Sequence, residues 1–203
     1  EPMTGESPIR PYCLFVIPPV DVAAAKLPCL SFATAPTPPK GATWNEAVKV
    51  IDDLTFRFDG KGYLEDGANQ IFVVPAGGGT PRQVTSGEAS MSGPAWLGND
   101  TLVFSGNAAD DRDLDPIESE IYAASLLDLV VRPLTRRDGP DHSPAVSPDG
   151  KTIAFSGYDD KTLSYQQTDL YLMNPDGTNV RELAAGFAGS IKEKAWTPDG
   201  KAL

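Results

Sequence analysis

Short apolar runs rich in β-branched and aromatic residues alternate with clusters of Gly, Pro, Asn and Asp along most of this chain. Runs of this kind, bounded by turn residues, predict strands and not helices. They recur in a fixed order. Pro94-Ala95-Trp96, Pro144-Ala145-Val146 and Lys194-Ala195-Trp196 each precede a turn, and Ala95, Ala145 and Ala195 stand 50 residues apart. After the turn comes a second run, TLVFS at 101–105 and KTIAFS at 151–156. A third run reads QIFVV at 70–74, EIYAA at 120–124 and DLYLM at 169–173. A fourth reads RQVT at 82–85, RPLT at 132–135 and RELA at 181–184. Self-similarity at a constant period marks a repeat architecture with one supersecondary unit per period.

The four runs are strands a, b, c and d of one unit. The a–b link is Ser147-Pro148-Asp149-Gly150 in one unit and Thr197-Pro198-Asp199-Gly200 in another, and the c–d link is Asn174-Pro175-Asp176-Gly177. Pro presets φ and Gly accepts a left-handed backbone, so both links are tight and the unit is an antiparallel meander. A four-stranded meander repeated at this interval is a β-propeller blade, which must stack on neighbours to bury its faces. The fold class predicted is therefore all-β, a β-propeller fragment of four-stranded antiparallel blades, two complete and two partial.

Blade I takes residues 1–85, with its b strand at Pro11 to Ile17, a turn at Ser7 to Arg10 and a Pro-rich insertion at 18–69. Blade II takes 92–135, blade III 142–184, and blade IV is cut short at 191–203. Within the insertion, Ala33 to Gly41 (ATAPTPPKG) predicts extended backbone, and the alternation of Lys49 to Phe58 predicts a strand. Trp96 and Trp196 share a register on strand a and are expected to fill the spaces between blades. A closed ring needs at least about four blades, so the chain reads as a piece of a longer protein. Unpartnered blade faces in such a piece imply self-association.

The meander puts the short a–b and c–d turns on one face and the b–c and d–a links on the other. The second set is long: 106–119, 157–168, 136–141 and the insertion. Loops longer than closure requires usually carry function. The candidate interface or substrate-gating residues accordingly lie there: Asp110, Asp111, Arg112, Asp113, Asp115 and Glu118 in the first loop, and Tyr158, Asp159 and Asp160 in the second. Asp111, Asp113 and Asp115 have the alternate spacing of a calcium loop. Pro116 stands where the sharp-turn Gly belongs and Tyr122 where the bidentate Glu belongs, so a solvated acidic loop is the better reading.

Charge and composition narrow the function. The net charge of −11 argues against nucleic acid, whose phosphates select basic patches. No apolar run approaches the ~20 residues of a membrane helix, and no basic-then-apolar leader opens the chain at Glu1; compartment stays open. Cys13 and Cys29 show no metal spacing and read as two unpaired thiols, with pairing left open. There is one histidine, His142, read as a polar residue entering strand a of blade III. No Gly-x-Ser-x-Gly elbow, phosphate loop, dinucleotide fingerprint or zinc pattern occurs, so no catalytic residue, cofactor or metal is assigned.

Three stretches resemble a known family: IFVVPAGGGTPRQVTSG at 71–87, DPIESEIY at 115–122 and, above all, LTRRDGPDHSPAVSPDGKTIAFSGYDD at 134–160. They are similar to the propeller of bacterial acylaminoacyl-peptidase-like members of the prolyl oligopeptidase family of serine peptidases. The segment 40–63 (KGATWNEAVKVIDDLTFRFDGKGY) fits the same pattern. LGND at 97–100 replaces the usual a–b turn and SLLDL at 125–129 the polar c–d turn. The resemblance implies a C-terminal α/β-hydrolase domain that holds the catalytic residues, none of which is in this chain. It also implies a propeller that caps that domain and admits short peptides. The alternative class is a non-enzymatic binding propeller of the Tol-system or WD type.

Overall fold

The structure is a computed structural model that describes residues 39–43, 45, 51, 54–64, 67–76, 79–191 and 193–203, together with the backbone of 12–17. The Cys13–Cys29 question, the turn at 7–10 and most of the insertion fall outside the described residues. Among those described there is no helix, and hence none long and apolar enough to cross a membrane.

Among the described residues thirteen strands form four sheets. Blade I has β1 (Tyr12–Ile17), β4 (Gln70–Pro75) and β5 (Arg82–Gln83) in the spatial order β1-β4-β5. Blade II is the meander β6 (Met91–Leu97), β7 (Thr101–Gly106), β8 (Glu120–Ser125) and β9 (Val131–Pro133). Blade III repeats it with β10 (Asp141–Val146), β11 (Ile153–Gly157), β12 (Asp169–Met173) and β13 (Arg181–Glu182). All pairings within these sheets are antiparallel. The two complete blades match down to an irregularity in strand a. The register slips between Ser92 and Ala95 and again between His142 and Ala145, with Gly93 and Ser143 both left-handed at φ 59° and 53°.

The period-2 alternation of each strand divides its side chains between two neighbours. Leu102 and Phe104 pack toward blade I with Ile71, Val73 and Val84, whereas Val103 packs toward blade III. One repeat later Ile153 and Phe155 pack toward blade II and Ala154 toward the 191–203 segment. Phe104 stacks on its cross-strand partner Tyr122 at 6.1 Å, and Phe155 on Tyr171 at 5.4 Å. Each fully buried side chain of this size contributes about 1.5–3 kcal/mol, so the interfaces between blades, not the blades alone, hold the fold. Trp96 packs into the blade I–II cluster. Trp196 packs on Ala154, Leu170 and Leu172, and its Nε1 donates to the Ala145 carbonyl at 3.0 Å.

Two expectations need correction. The strand predicted over 49–58 shrinks, among the described residues, to β2 (Arg57–Phe58), paired with β3 (Gly62–Tyr63). Gly60 and Gly62, at φ 81° and 82°, turn the chain back at once, and the described residues before Arg57 have no partner strand. Blade IV has its Thr197 to Gly200 turn, closed by a Thr197 N–H bond to the Ala202 carbonyl at 2.9 Å, but no strand over 193–196. Strand a there has no ladder partner beyond that turn.

Candidate functional site

The end of strand d carries a device that repeats from blade to blade. Thr135 Oγ1 accepts the Ile121 N–H at 2.8 Å and donates to the Glu120 carboxylate. One blade earlier Thr85 Oγ1 accepts the Ile71 N–H at 2.9 Å and donates to Gln70 Oε1 at 2.7 Å. The first side chain of strand c thus ties down the d–a link. At the blade I–II junction the tie is neutral, with Gln70 Nε2 donating to the Gly87 and Ala89 carbonyls. At the blade II–III junction it is charged. Glu120 accepts the Arg137 N–H at 2.8 Å, and Glu118 accepts the Gly139 N–H at 2.8 Å.

Three equivalent positions change character between the two junctions: Gln70 becomes Glu120, Gly87 becomes Arg137 and Met91 becomes Asp141. The last equivalence is fixed by backbone bonds. The N–H groups of Met91, Asp141 and Ile191 donate to the carbonyls of Asn69, Ser119 and Thr168, one in each blade. Two of these positions are apolar and the third is an acid, and Asp141 is 0% exposed. Its Oδ1 lies 3.3 Å from Arg137 Nη1, an ion pair without hydrogen-bond geometry, and neither carboxylate oxygen receives a hydrogen bond. The nearby Thr135 hydroxyl gives its proton to Glu120 instead. Burial pushes the Asp141 carboxyl up to about 7; Arg137 opposes the shift, and Glu120 and Glu118 add to it. Burial also raises Glu118 and Glu120.

Arg137 links this buried acid to the loop face. Its Nη2 reaches Asp159 Oδ1 at 2.6 Å, and its guanidinium lies over Tyr171, 3.8 Å from the ring centroid. The 136–140 and 157–168 loops cross closely enough to need two glycines. A Cβ on Gly157 would sit 2.5 Å from the Pro140 carbonyl, and one on Gly139 2.3 Å from the Tyr158 carbonyl. Tyr158 N–H bonds to Pro140 O at 3.3 Å and Asp160 N–H to Asp138 O at 2.9 Å across the crossing.

The structure therefore brings Glu118, Tyr158, Asp159 and Asp160 onto the 137–140 segment, Asp159 through the Arg137 guanidinium and the others through its backbone. Asp160 Oδ1 accepts from Thr162 N–H at 2.6 Å and from Gln166 Nε2, which shapes the rest of the loop. The other candidates lie apart. Asp110, Asp111, Asp113 and Asp115 are exposed on a turn closed by bonds from Leu114 and Asp115 N–H to Asp111 O. Arg112 pairs with Glu88 at 2.9 Å, on the preceding d–a link. Among the described residues no three metal-ligating side chains converge. Residues missed by loop reasoning are Glu120, Thr135, Arg137, Asp141 and Tyr171. Aligning the strand-a registers (Met91, Asp141, Ile191) would have exposed the acid in an apolar position. His142 sits on β10 as expected, its Nδ1 3.1 Å from Ser143 Oγ; burial lowers its pKa and Lys194 adds to the effect.

Comparison with known proteins was decisive on one point. The model of the dipeptidyl peptidase IV (DPP IV) N-terminal region matches residues 50–165, more than half of the chain. The chain belongs to this family. Among solved structures, TolB from Acinetobacter baumannii is 20% identical with a TM-score of 0.51, over 66% of this chain and 30% of its own. A puromycin hydrolase is 21% identical with a TM-score of 0.50, over 64% and 23%. At such identities the likeness shows the fold alone. The chain spans less than half the length of either of these solved chains. No curated protein matches it. The DPP IV N-terminal family chain is thus an all-β propeller piece, as its repeat predicted.

Proposed function

We propose that this chain is the propeller part of a serine peptidase, of the acylaminoacyl peptidase or dipeptidyl aminopeptidase kind. It gates short peptide substrates and docks a C-terminal hydrolase domain through the b–c and d–a loops. The observation that carries this reading is the contrast between the two faces. On one face the links are tight turns such as 147–150 and 174–177. On the other, long loops are tied together by Glu118, Glu120, Arg137, Asp141 and Asp159, where the preceding junction has Gln70, Gly87 and Met91 at the places of Glu120, Arg137 and Asp141. A charged, rigid loop platform suits docking against a second domain, because polar rims set orientation and registry. Family membership supports the peptidase context.

The test uses the natural protein that carries this chain with its hydrolase domain. Residues 109–116 are replaced by a short Gly-Asn link, and cleavage is followed on a series of peptides of increasing length. The reading expects kcat/KM for the longer peptides to rise relative to the shorter ones, or the two domains to separate more readily. No change in either would contradict it. A binding propeller of the TolB kind is the second reading, favoured by the likeness to TolB. It expects no peptidase activity on any peptide in the series.

A further inference from the structure

The junction between blade III and the 191–203 segment carries a lysine where the repeat has proline. Pro94, Pro144 and Lys194 stand 50 residues apart along the repeat, and His142 stands where Ser92 does. At the blade II–III junction the hydroxyls of Ser92 and Ser105 face each other at 3.4 Å, and a Cβ on Gly93 would sit 3.7 Å from the Pro144 ring and 3.8 Å from Ser105 Oγ. One blade on, Ser156 takes the place of Ser105 and is 0% exposed. Lys194 Nζ donates to its hydroxyl at 2.7 Å. Trp196, two residues further, packs on Ala154, Leu170 and Leu172 and bonds to the Ala145 carbonyl, which holds this segment against blade III.

A charge taken out of water is normally paired with an opposite charge. Lys194 is half-buried and makes no ion pair among the described residues. What it meets instead is a hydroxyl and an imidazole. His142 stands opposite Ser156 in the β10–β11 ladder, so those two side chains share a face. Burial brings the Lys194 amine down to about 8, with Glu193 opposing the shift. Burial, and after it the Lys194 charge, lowers His142. We propose that Lys194 is an acyl-acceptor site, taking an acyl group from a thioester. The neutral Nζ attacks the carbonyl carbon. The N–C bond forms as the C–S bond breaks, and the proton shed by nitrogen leaves with the thiol. The product suits the place better than the ammonium does. The amide nitrogen keeps one N–H for Ser156 Oγ, and the charge held beside His142 is gone. The proposal does not rest on the peptidase reading, since a scaffold propeller would present the same amine.

The probe is S-acetyl-N-acetylcysteamine, a small thioester, added below stoichiometry to the 203-residue chain near pH 7.5, with acetylation at each lysine followed by peptide mass spectrometry. Lys151 and Lys161, both exposed, are the internal standards. Lys194 should be acetylated at least about tenfold faster than either, since each pH unit taken off an amine's pKa raises its neutral fraction about tenfold. The preference should vanish in denaturing urea, where Glu193 is still the neighbour in sequence but Ser156 and His142 are no longer near. Acetylation should also move the NMR titration of His142, the one histidine of the chain, upward. Lys194→Gln should do the same with no thioester present. The proposal is overturned by any of three results: acetylation of Lys194 no faster than that of Lys151 and Lys161, a preference that survives urea, or a His142 titration unmoved by acetylation and by Lys194→Gln.

Discussion

Asp141→Asn should stabilise the protein at pH 8 and hardly change it at pH 4. In the fold the Asp141 carboxyl rises from 3.8 to about 7, chiefly because the group is wholly buried. At about 1.4 kcal/mol per pH unit, that rise corresponds to roughly 4 kcal/mol of cost for holding the charge inside. The sign follows from proton counting. Between pH 4 and 7 the unfolded chain has lost the Asp141 proton and the folded chain keeps it, so stability falls as pH rises through this window and levels off above it. The amide has no charge to lose. The variant should therefore exceed the wild type by up to about 4 kcal/mol at pH 8, about 2 kcal/mol at pH 5 and near zero at pH 4. Burial raises Glu118 and Glu120 as well, so only the difference between the two proteins isolates Asp141. Arg137→Met should act in the opposite direction. It removes the cation that holds the Asp141 carboxyl down, so the carboxyl keeps its proton in the fold even at pH 8, and the electrostatic part of the loss is capped there at about 1.4 kcal/mol. The Arg137→Met/Asp141→Met pair should recover most of that loss, since Met91 fills the equivalent place at the preceding junction. The assay is urea unfolding followed by tryptophan fluorescence at fixed ionic strength from pH 4 to 8. A wild-type advantage over Asp141→Asn above pH 7, or a difference that does not move with pH, would refute the reasoning.

Other consequences concern packing. Gly157→Ala would drive a Cβ to within 2.3 Å of Asp141 Oδ1 and 2.5 Å of the Pro140 carbonyl. It should cost about 1–3 kcal/mol, the scale of overpacking, read as a lower urea midpoint, with raised amide exchange in 136–141 and 157–168. Phe155→Ala empties a fully buried site between blades II and III and should cost about 3–5 kcal/mol. Leu127→Ala, at a residue 80% exposed in a c–d turn, should stay within about 0.5 kcal/mol. Equal midpoint shifts for these two variants would mean that the blade interface does not hold the fold.

The repeat was legible because strands and tight turns write themselves locally. TLVFS and TIAFS have the same alternation, and the structure gives both the same division of faces. The site was legible only in part. Loop length and acidity pointed to 106–119 and 157–168, and Glu118, Asp159 and Asp160 each contact the 137–139 segment between them. Acidity also pointed to Asp110, Asp111, Asp113 and Asp115, which stand exposed on a turn of their own apart from those three. Asp141 and Arg137 were hidden for a different reason. A buried acid in a strand of otherwise regular pattern shows itself only when its neighbours in the repeat, Met91 and Ile191, are set beside it. Of the strand expected over 49–58 the described residues show only Arg57 and Phe58 paired, because alternation marks a strand without saying where its partner is, and Gly60 and Gly62 turn the chain after two paired residues.

The account rests most heavily on the unequal use of the two faces. Amide hydrogen exchange, measured on this chain alone and on the two-domain protein proposed above, tests that directly. The account predicts that attachment slows exchange in 107–119, 136–140 and 158–168 and leaves the turns at 98–100, 147–150 and 174–177 unchanged. Protection confined to those turns, or no protection in any of the three loops, would contradict it.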